Sequence, residues 1–207
     1  MDREKLLNIL LLPRDFYRRL TDKKPSLGVG IIVLGIINMS VTVLMKYKET
    51  FVGKSQEVLL NNIFLIAILV IFAGLIDVLF FSLPIFDLFK VFKKEIEVQN
   101  NSRMVVKIMK IQIMASILVF VPYFILSLIV FTVNLEKNPL LASIASLGAF
   151  LIPVWFCAII TRGINSIYSF QNKYRILVFP VVLIWYYLVD AFALPFVIEK
   201  CFSFLIK

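Results

Sequence analysis

Five long apolar runs punctuate the chain, separated by short basic or polar segments. The first, residues 26–45, holds no charge and is flanked by Lys23 and Lys24 on one side and Lys46 and Lys48 on the other. The second stays apolar from Leu59 to about Phe92, which is too long for one straight span. Pro84 offers a place to divide it, because proline removes a backbone donor and kinks a helix. The pattern therefore predicts a span at about 61–83 with a short segment in the membrane interface after it. Three further runs follow at about 111–133, 139–161 and 176–198, interrupted by Pro122, Pro153, Pro180 and Pro195. A bilayer core takes about 20 helical residues, and an isolated strand could not satisfy its backbone there. The alternating pattern of a membrane barrel is absent. The expected architecture is an all-α, polytopic membrane bundle of five transmembrane helices with interfacial helices on the cytoplasmic side. Residues 1–25 form a cytoplasmic amphipathic segment, 26–198 the membrane domain and 199–207 a short outer tail.

The N-terminal run Leu6–Leu12 is too short to span and ends in Pro13-Arg14-Asp15 without a small-residue cleavage site, so it is expected to remain in the mature protein. Pro13, Phe16, Tyr17 and Leu20 then fall on one helical face, with Arg14, Asp15, Arg18 and Arg19 on the others. Such a piece lies in the headgroup plane. The stretch 85–94 has the same character, with Lys90, Lys93 and Lys94 set among bulky apolar residues. Arg103, Lys107 and Lys110 share a face of the helix entering the third span, as a basic collar does. Arg14, Arg18, Arg19, Lys93, Lys94, Arg103 and Lys107 are accordingly the candidate lipid-headgroup contacts.

Composition agrees with a membrane protein. Of 207 residues, 61% are hydrophobic and 17% charged, against about 45–50% and 25% in soluble domains. The formal net charge is +9. Its distribution decides what it means. Arg3, Lys5, Arg14, Arg18, Arg19, Lys23, Lys24, Lys90, Lys93, Lys94, Arg103, Lys107, Lys110, Arg162, Lys173 and Arg175 all fall on one side of a five-span topology, sixteen of the 22 basic residues. That places the N-terminus in the cytoplasm and the C-terminus outside a cell membrane. The charge implies anionic lipid as the partner and not nucleic acid. Membrane-protein partners or self-association remain compatible with the small residues Ala142, Ser143, Ala145, Ser146, Gly148 and Ala149, which mark a close-packing surface.

The chemistry is sparse. There is no histidine, and the two cysteines, Cys157 and Cys201, are far apart, which gives neither a zinc site nor a disulfide framework. No phosphate loop, nucleophile elbow or haem motif occurs. The expectation is a non-enzymatic protein without metal or cofactor. The anomalies are two intramembrane carboxyls. Asp77 sits near the middle of the second span, where an aspartate costs about 2.5–3.5 kcal/mol on insertion scales. Ala73 and Gly74 precede it on the same face and form a groove for another helix. Asp190 lies in the fifth span with Tyr186 and Tyr187 on its face. The two aspartates fall within about two helical turns in depth, and Arg162, at the end of the fourth span, can snorkel back toward one of them. Their local sequences do not match an aspartic intramembrane protease, so Asp77, Asp190, Tyr186, Tyr187 and Arg162 form a candidate polar site without catalytic assignment.

Three stretches resemble the Yip-domain (Ypt-interacting-protein) family in its short bacterial-type form. They are Leu10–Leu20, a proline-led amphipathic piece, Met104–Pro122, a basic helix entering a proline-interrupted span, and Trp155–Ile164 followed by Tyr168–Arg175, similar to the family's tryptophan span, glycine and Ser-x-x-Lys turn. The resemblance implies a five-span topology and a non-catalytic role in organising membrane lipids or partner proteins. The competing expectation is a small transporter or channel built around Asp77 and Asp190, and it requires a cavity that reaches at least one of the two carboxyls.

Overall fold

The structure is a computed structural model that describes residues 3–23, 25–92, 101–133, 137–168 and 170–205. Lys93 and Lys94 lie outside the described residues. The described chain is all-α, with helices α1 (Arg3–Leu11), α2 (Arg14–Arg18), α3 (Pro25–Met45), α4 (Tyr47–Phe51), α5 (Gln56–Phe92), α6 (Asn101–Thr132), α7 (Pro139–Tyr168), α8 (Asn172–Tyr186) and α9 (Leu194–Leu205). Between α8 and α9 the chain forms a π-helical segment, Tyr187–Ala193, that carries Asp190. Five stretches are long and apolar enough to cross a membrane: Pro25–Met45, Gln56–Lys90, Ser102–Thr132, Pro139–Tyr168 and Tyr174–Phe204. The chain is therefore a multi-pass membrane protein by length and composition. A wide outward-facing apolar surface, with residues such as Phe64, Phe80, Leu140, Ile176 and Phe192 exposed, fits a bundle solvated by lipid and not by water.

The bundle is keyed at the crossing of α3 and α5. A Cβ added to Gly35 would run into the Val70 carbonyl oxygen, and one added to Gly74 would run into the Ile31 carbonyl oxygen and lie 2.8 Å from the Gly35 nitrogen. The two backbones thus meet face to face, which only glycine permits. In a bilayer, where apolar burial gives no net drive for helix association, this kind of close backbone approach is a principal source of packing energy. The groove expected beside Asp77 is thus occupied by α3, and Ala73 is buried with Met39, Leu69, Leu194, Ile198 and Phe202.

Two segments differ from their expected forms. α5 runs without interruption through Pro84 to Phe92, so residues 85–92 are the end of a long helix and not a separate interfacial piece. Phe81, Ile85, Phe86 and Phe89 are buried in the main core on both sides of the proline. Phe89 lies 5.7 Å from Phe170 and 6.4 Å from Tyr168, ring centre to ring centre. Packing against neighbouring helices holds the helix to its course, as it does for prolines in other buried spans. The amphipathic N-terminal piece is likewise docked onto protein. The chain reverses at Leu12, which has φ 59°, and Pro13 follows. Tyr17 is fully buried; its hydroxyl donates to the Leu11 carbonyl at 2.7 Å, and its ring faces Gly163 of α7. Burial pushes its phenol pKa up against the smaller opposing effect of Arg162, so the hydroxyl stays a donor at all physiological pH. Trp155 Nε1 donates to Leu10 O at 2.8 Å, and Lys110, mostly buried, donates to the carbonyls of Thr21 (2.6 Å) and Lys23 (2.9 Å). Phe16 stays partly exposed.

The α3–α5 crossing generates a prediction with opposite signs at two glycines of one helix. Gly28 has no atom within 4 Å of an added Cβ, so Gly28→Ala leaves the unfolding midpoint in detergent unchanged or raises it, by the ordinary helix gain of about 0.5–1 kcal/mol. Gly35→Ala and Gly74→Ala instead overpack the crossing and lower stability by about 1–3 kcal/mol. Equal midpoints for Gly28→Ala and Gly35→Ala would remove the crossing from this role.

Candidate functional site

The two intramembrane carboxyls lie together. Asp77 is 3% exposed, and both its oxygens accept hydrogen bonds from side-chain amides. Asn38 Nδ2 of α3 donates to Oδ2 at 2.6 Å, and Gln112 Nε2 of α6 donates to Oδ1 at 2.6 Å. The Gln112 amide oxygen is itself satisfied by Ser82 Oγ at 2.8 Å, so the network runs Ser82, Gln112, Asp77, Asn38. Its geometry follows from the crossing described above. Asn38 and Asp77 each lie three residues beyond a crossing glycine, and helical side chains tilt back toward the helix N-terminus. On two antiparallel helices both side chains therefore lean toward the same crossing point and meet.

Asp190 lines the same cavity as Asp77. Its Oδ1 is buried and has no hydrogen-bond partner among the described residues. The π segment is what brings Asp190 here. Pro195 has no N–H and its ring collides with the carbonyl four residues earlier in a regular helix. The backbone widens, and the Leu194 N–H bonds to Val189 O, one residue further back than in an α-helix. Single-turn π segments of this kind are concentrated at functional sites.

Both carboxyls open onto a cavity of about 600 Å³ in the half of the bundle remote from α1 and α2. All five spans contribute to it. Asn38, Asp77 and Ser116 lie at its deep end. Phe120, Tyr123, Phe156, Tyr186 and Tyr187 supply aromatic walls, and Lys46 and Glu199 stand at its mouth. Lys46 Nζ is placed over the Phe202 ring at 5.7 Å. The described residues contain no group of three or more His, Cys, Asp or Glu side chains able to hold a metal ion.

Of the residues singled out by sequence, the structure brings Asp77, Asp190, Tyr186 and Tyr187 to this one cavity. Arg162 is elsewhere. Its Nη2 donates to Asn8 Oδ1 of α1, at the end of the bundle that carries the N-terminus. Arg14, Arg18 and Arg19 are exposed at that same end. Arg18 makes a loose surface pair with Asp15 at 3.8 Å. Arg103 pairs with Asp22 at 3.2 Å, and Lys107 is half-buried. Asn38 and Gln112, which hold Asp77, are the residues that the sequence alone did not assign to the site. Gln112, a lone amide within an apolar run, is the signal that could have found one of them.

Comparison with protein-family models, curated proteins and solved structures finds no match to the chain. The Yip-like resemblance therefore rests on the three quoted stretches alone, and the site has to be read from its own geometry.

The network predicts strong coupling between Asp77 and Gln112. Gln112→Leu leaves a buried carboxyl oxygen without its donor and destabilises the protein by about 1–3 kcal/mol. The same change in an Asp77→Leu background costs much less. A double-mutant cycle on unfolding in detergent should return about 1 kcal/mol or more of coupling, and additive losses would show that the two side chains do not depend on each other.

Proposed function

We propose that this protein is a membrane-embedded binding protein of transporter type that admits a small organic cation to the Asp77–Asp190 pair. The observation that carries the reading is the cavity reaching both carboxyls, with Asp190 Oδ1 buried there and unpartnered. An acceptor of that kind is costly to leave unsatisfied, and a cation bearing N–H groups satisfies it. The aromatic walls fit the same ligand class, since ring faces attract ammonium groups by about 0.5–2 kcal/mol. Asp77, already holding two amide donors, fixes the floor of the site, and Asp190 faces the ligand. With the N-terminus cytoplasmic, as the basic-residue bias implies, the cavity opens to the outer side of a cell membrane.

Benzylamine and 2-phenylethylamine, both carrying ammonium N–H groups at neutral pH, serve as probes. Calorimetry on the purified protein in nanodiscs should show binding of at least one, weakened about tenfold or more by Asp190→Asn, as expected for loss of a charge-assisted contact. Proteoliposomes should take up the probe that binds. Absence of binding by either probe, or undiminished binding in Asp190→Asn, overturns the reading.

A second reading, the non-enzymatic organiser of anionic lipid, is supported by the exposed Arg14, Arg18 and Arg19 on one end of the bundle. Each basic group near an anionic surface contributes about 1 kcal/mol. Replacing all three with glutamine should weaken the preference of the purified protein for liposomes rich in acidic lipid, while Asp77→Asn and Asp190→Asn leave it intact. Association that ignores acidic lipid content would sink this role.

A further inference from the structure

A second recess lies at the other end of the bundle, between α7, α8 and the docked N-terminal hairpin, with a volume of about 300 Å³. Its lining is dominated by four arginines: Arg14 and Arg18 from α2, Arg162 from α7 and Arg175 from α8. No carboxylate is among the described lining residues. Asp15 faces Arg18 as an exposed pair. Arg18 thus has Asp15 and Arg162 already has partners, but with Arg14 and Arg175 they give the recess a described lining that is cationic, which favours an anionic ligand.

The floor narrows the chemistry. Thr161 Oγ1 and Asn165 Oδ1 both line this recess, are buried, and have no hydrogen-bond partner among the described residues. A threonine hydroxyl donates to an anionic oxygen. An amide oxygen cannot, and takes instead a hydroxyl carried by the ligand. Guanidinium forks match the paired oxygens of a phosphate. Leu11, Ala158 and Phe179 close the recess with apolar surface, so the ligand also offers a nonpolar side.

We propose that this recess is a binding site for a phosphate group with an adjacent hydroxyl. Two sources share that chemistry, the phosphoglycerol headgroup of an anionic lipid and free phosphate, whose monohydrogen form carries its own hydroxyl. The site is separate from the carboxyl cavity and independent of the cation reading. It deepens the lipid-organising reading by giving it a defined pocket in place of a diffuse basic face. Packing builds the pocket: Tyr17 seats α2 against α7, and the Arg162–Asn8 contact fixes α1 there.

The test uses the full-length protein, delipidated in neutral detergent, with the shift of its unfolding midpoint as the readout. The probes are inorganic phosphate, dihexanoyl phosphatidylglycerol and, as a zwitterionic control, dihexanoyl phosphatidylcholine. Phosphatidylglycerol or inorganic phosphate is expected to raise the midpoint and phosphatidylcholine to leave it. A response to the lipid alone assigns a headgroup, and an equal response to inorganic phosphate assigns the free anion. Arg14 and Arg175 are exposed, so Arg14→Gln/Arg175→Gln should fold normally and bind about tenfold or more weakly. Thr161→Val probes the floor. Arg19→Gln, of the same charge change outside the recess, should bind as the wild type does. No response to either anion, or an equal loss in Arg19→Gln, overturns the site. If Arg19→Gln matches the double variant while acidic liposomes are still preferred, the pocket fails and the broader lipid reading stands.

Discussion

A carboxyl group at mid-membrane depth must be hydrogen-bonded, and the interior of this bundle is arranged around meeting that demand for Asp77. Insertion of an aspartate at the centre of a helix costs about 2.5–3.5 kcal/mol, and each hydrogen bond to a charged group returns about 1.5–3 kcal/mol. Two amide donors, Asn38 and Gln112, are therefore enough to offset the cost, provided they are held in place. Holding them requires α3 and α6 to be fixed against α5 in one register. The Gly35–Gly74 contact does this for α3, and the Ser82–Gln112 bond does it for α6. Three of the five spans are thus tied by one polar network in a setting where apolar contact alone discriminates poorly between registers.

The basic residues are put to more than one use. Composition and charge bias gather them on one side of the topology and suggest a solvated cationic face. The structure shows that several are structural. Lys110 is mostly buried and closes the turn before α3 through backbone carbonyls, Arg103 holds Asp22, and Arg162 holds Asn8. Those contacts fasten the N-terminal hairpin to the ends of α6 and α7. The hairpin in turn carries Arg14 and Arg18 to the side of Arg175, which lies more than 150 positions along the chain. A local amphipathic pattern describes this segment poorly, because its most buried residue, Tyr17, meets α7 and not lipid.

What the sequence revealed and what it concealed divide along physical lines. Spans are legible because a bilayer leaves only long, uncharged, internally bonded segments as solutions, and each of the five predicted runs overlaps one of five helical stretches long and apolar enough to cross a membrane. Asp77 and Asp190 are legible because ionisable residues are conspicuous in apolar runs. Helix ends are less so. Pro84 looks like a break, yet the buried faces of Phe81, Ile85 and Phe89 carry α5 across it, and such packing depends on residues far away in sequence. Arg162 is ambiguous for a similar reason. A side chain at a span end can reach inward or lie outward, and the partner that decides, Asn8, is 154 residues distant. The π segment is hidden altogether, because a one-residue change in backbone pitch leaves the apolar pattern intact and is betrayed only by Pro195.

That change of pitch explains why the two aspartates differ in kind. In a regular helix through Pro195, the proline would strike the Ala191 carbonyl; the wider turn avoids this and reorients the preceding residues. Asp190 is thereby carried to Asp77 without amide donors of its own. Asp77 is saturated, with an amide on each oxygen, while Asp190 keeps one buried oxygen unpartnered among the described residues. A site meant only to hold helices together would be expected to satisfy both carboxyls, since an unsatisfied buried acceptor costs about 1–3 kcal/mol. On the proposed cation-binding reading, this asymmetry is why Asp190 and not Asp77 is assigned to the ligand.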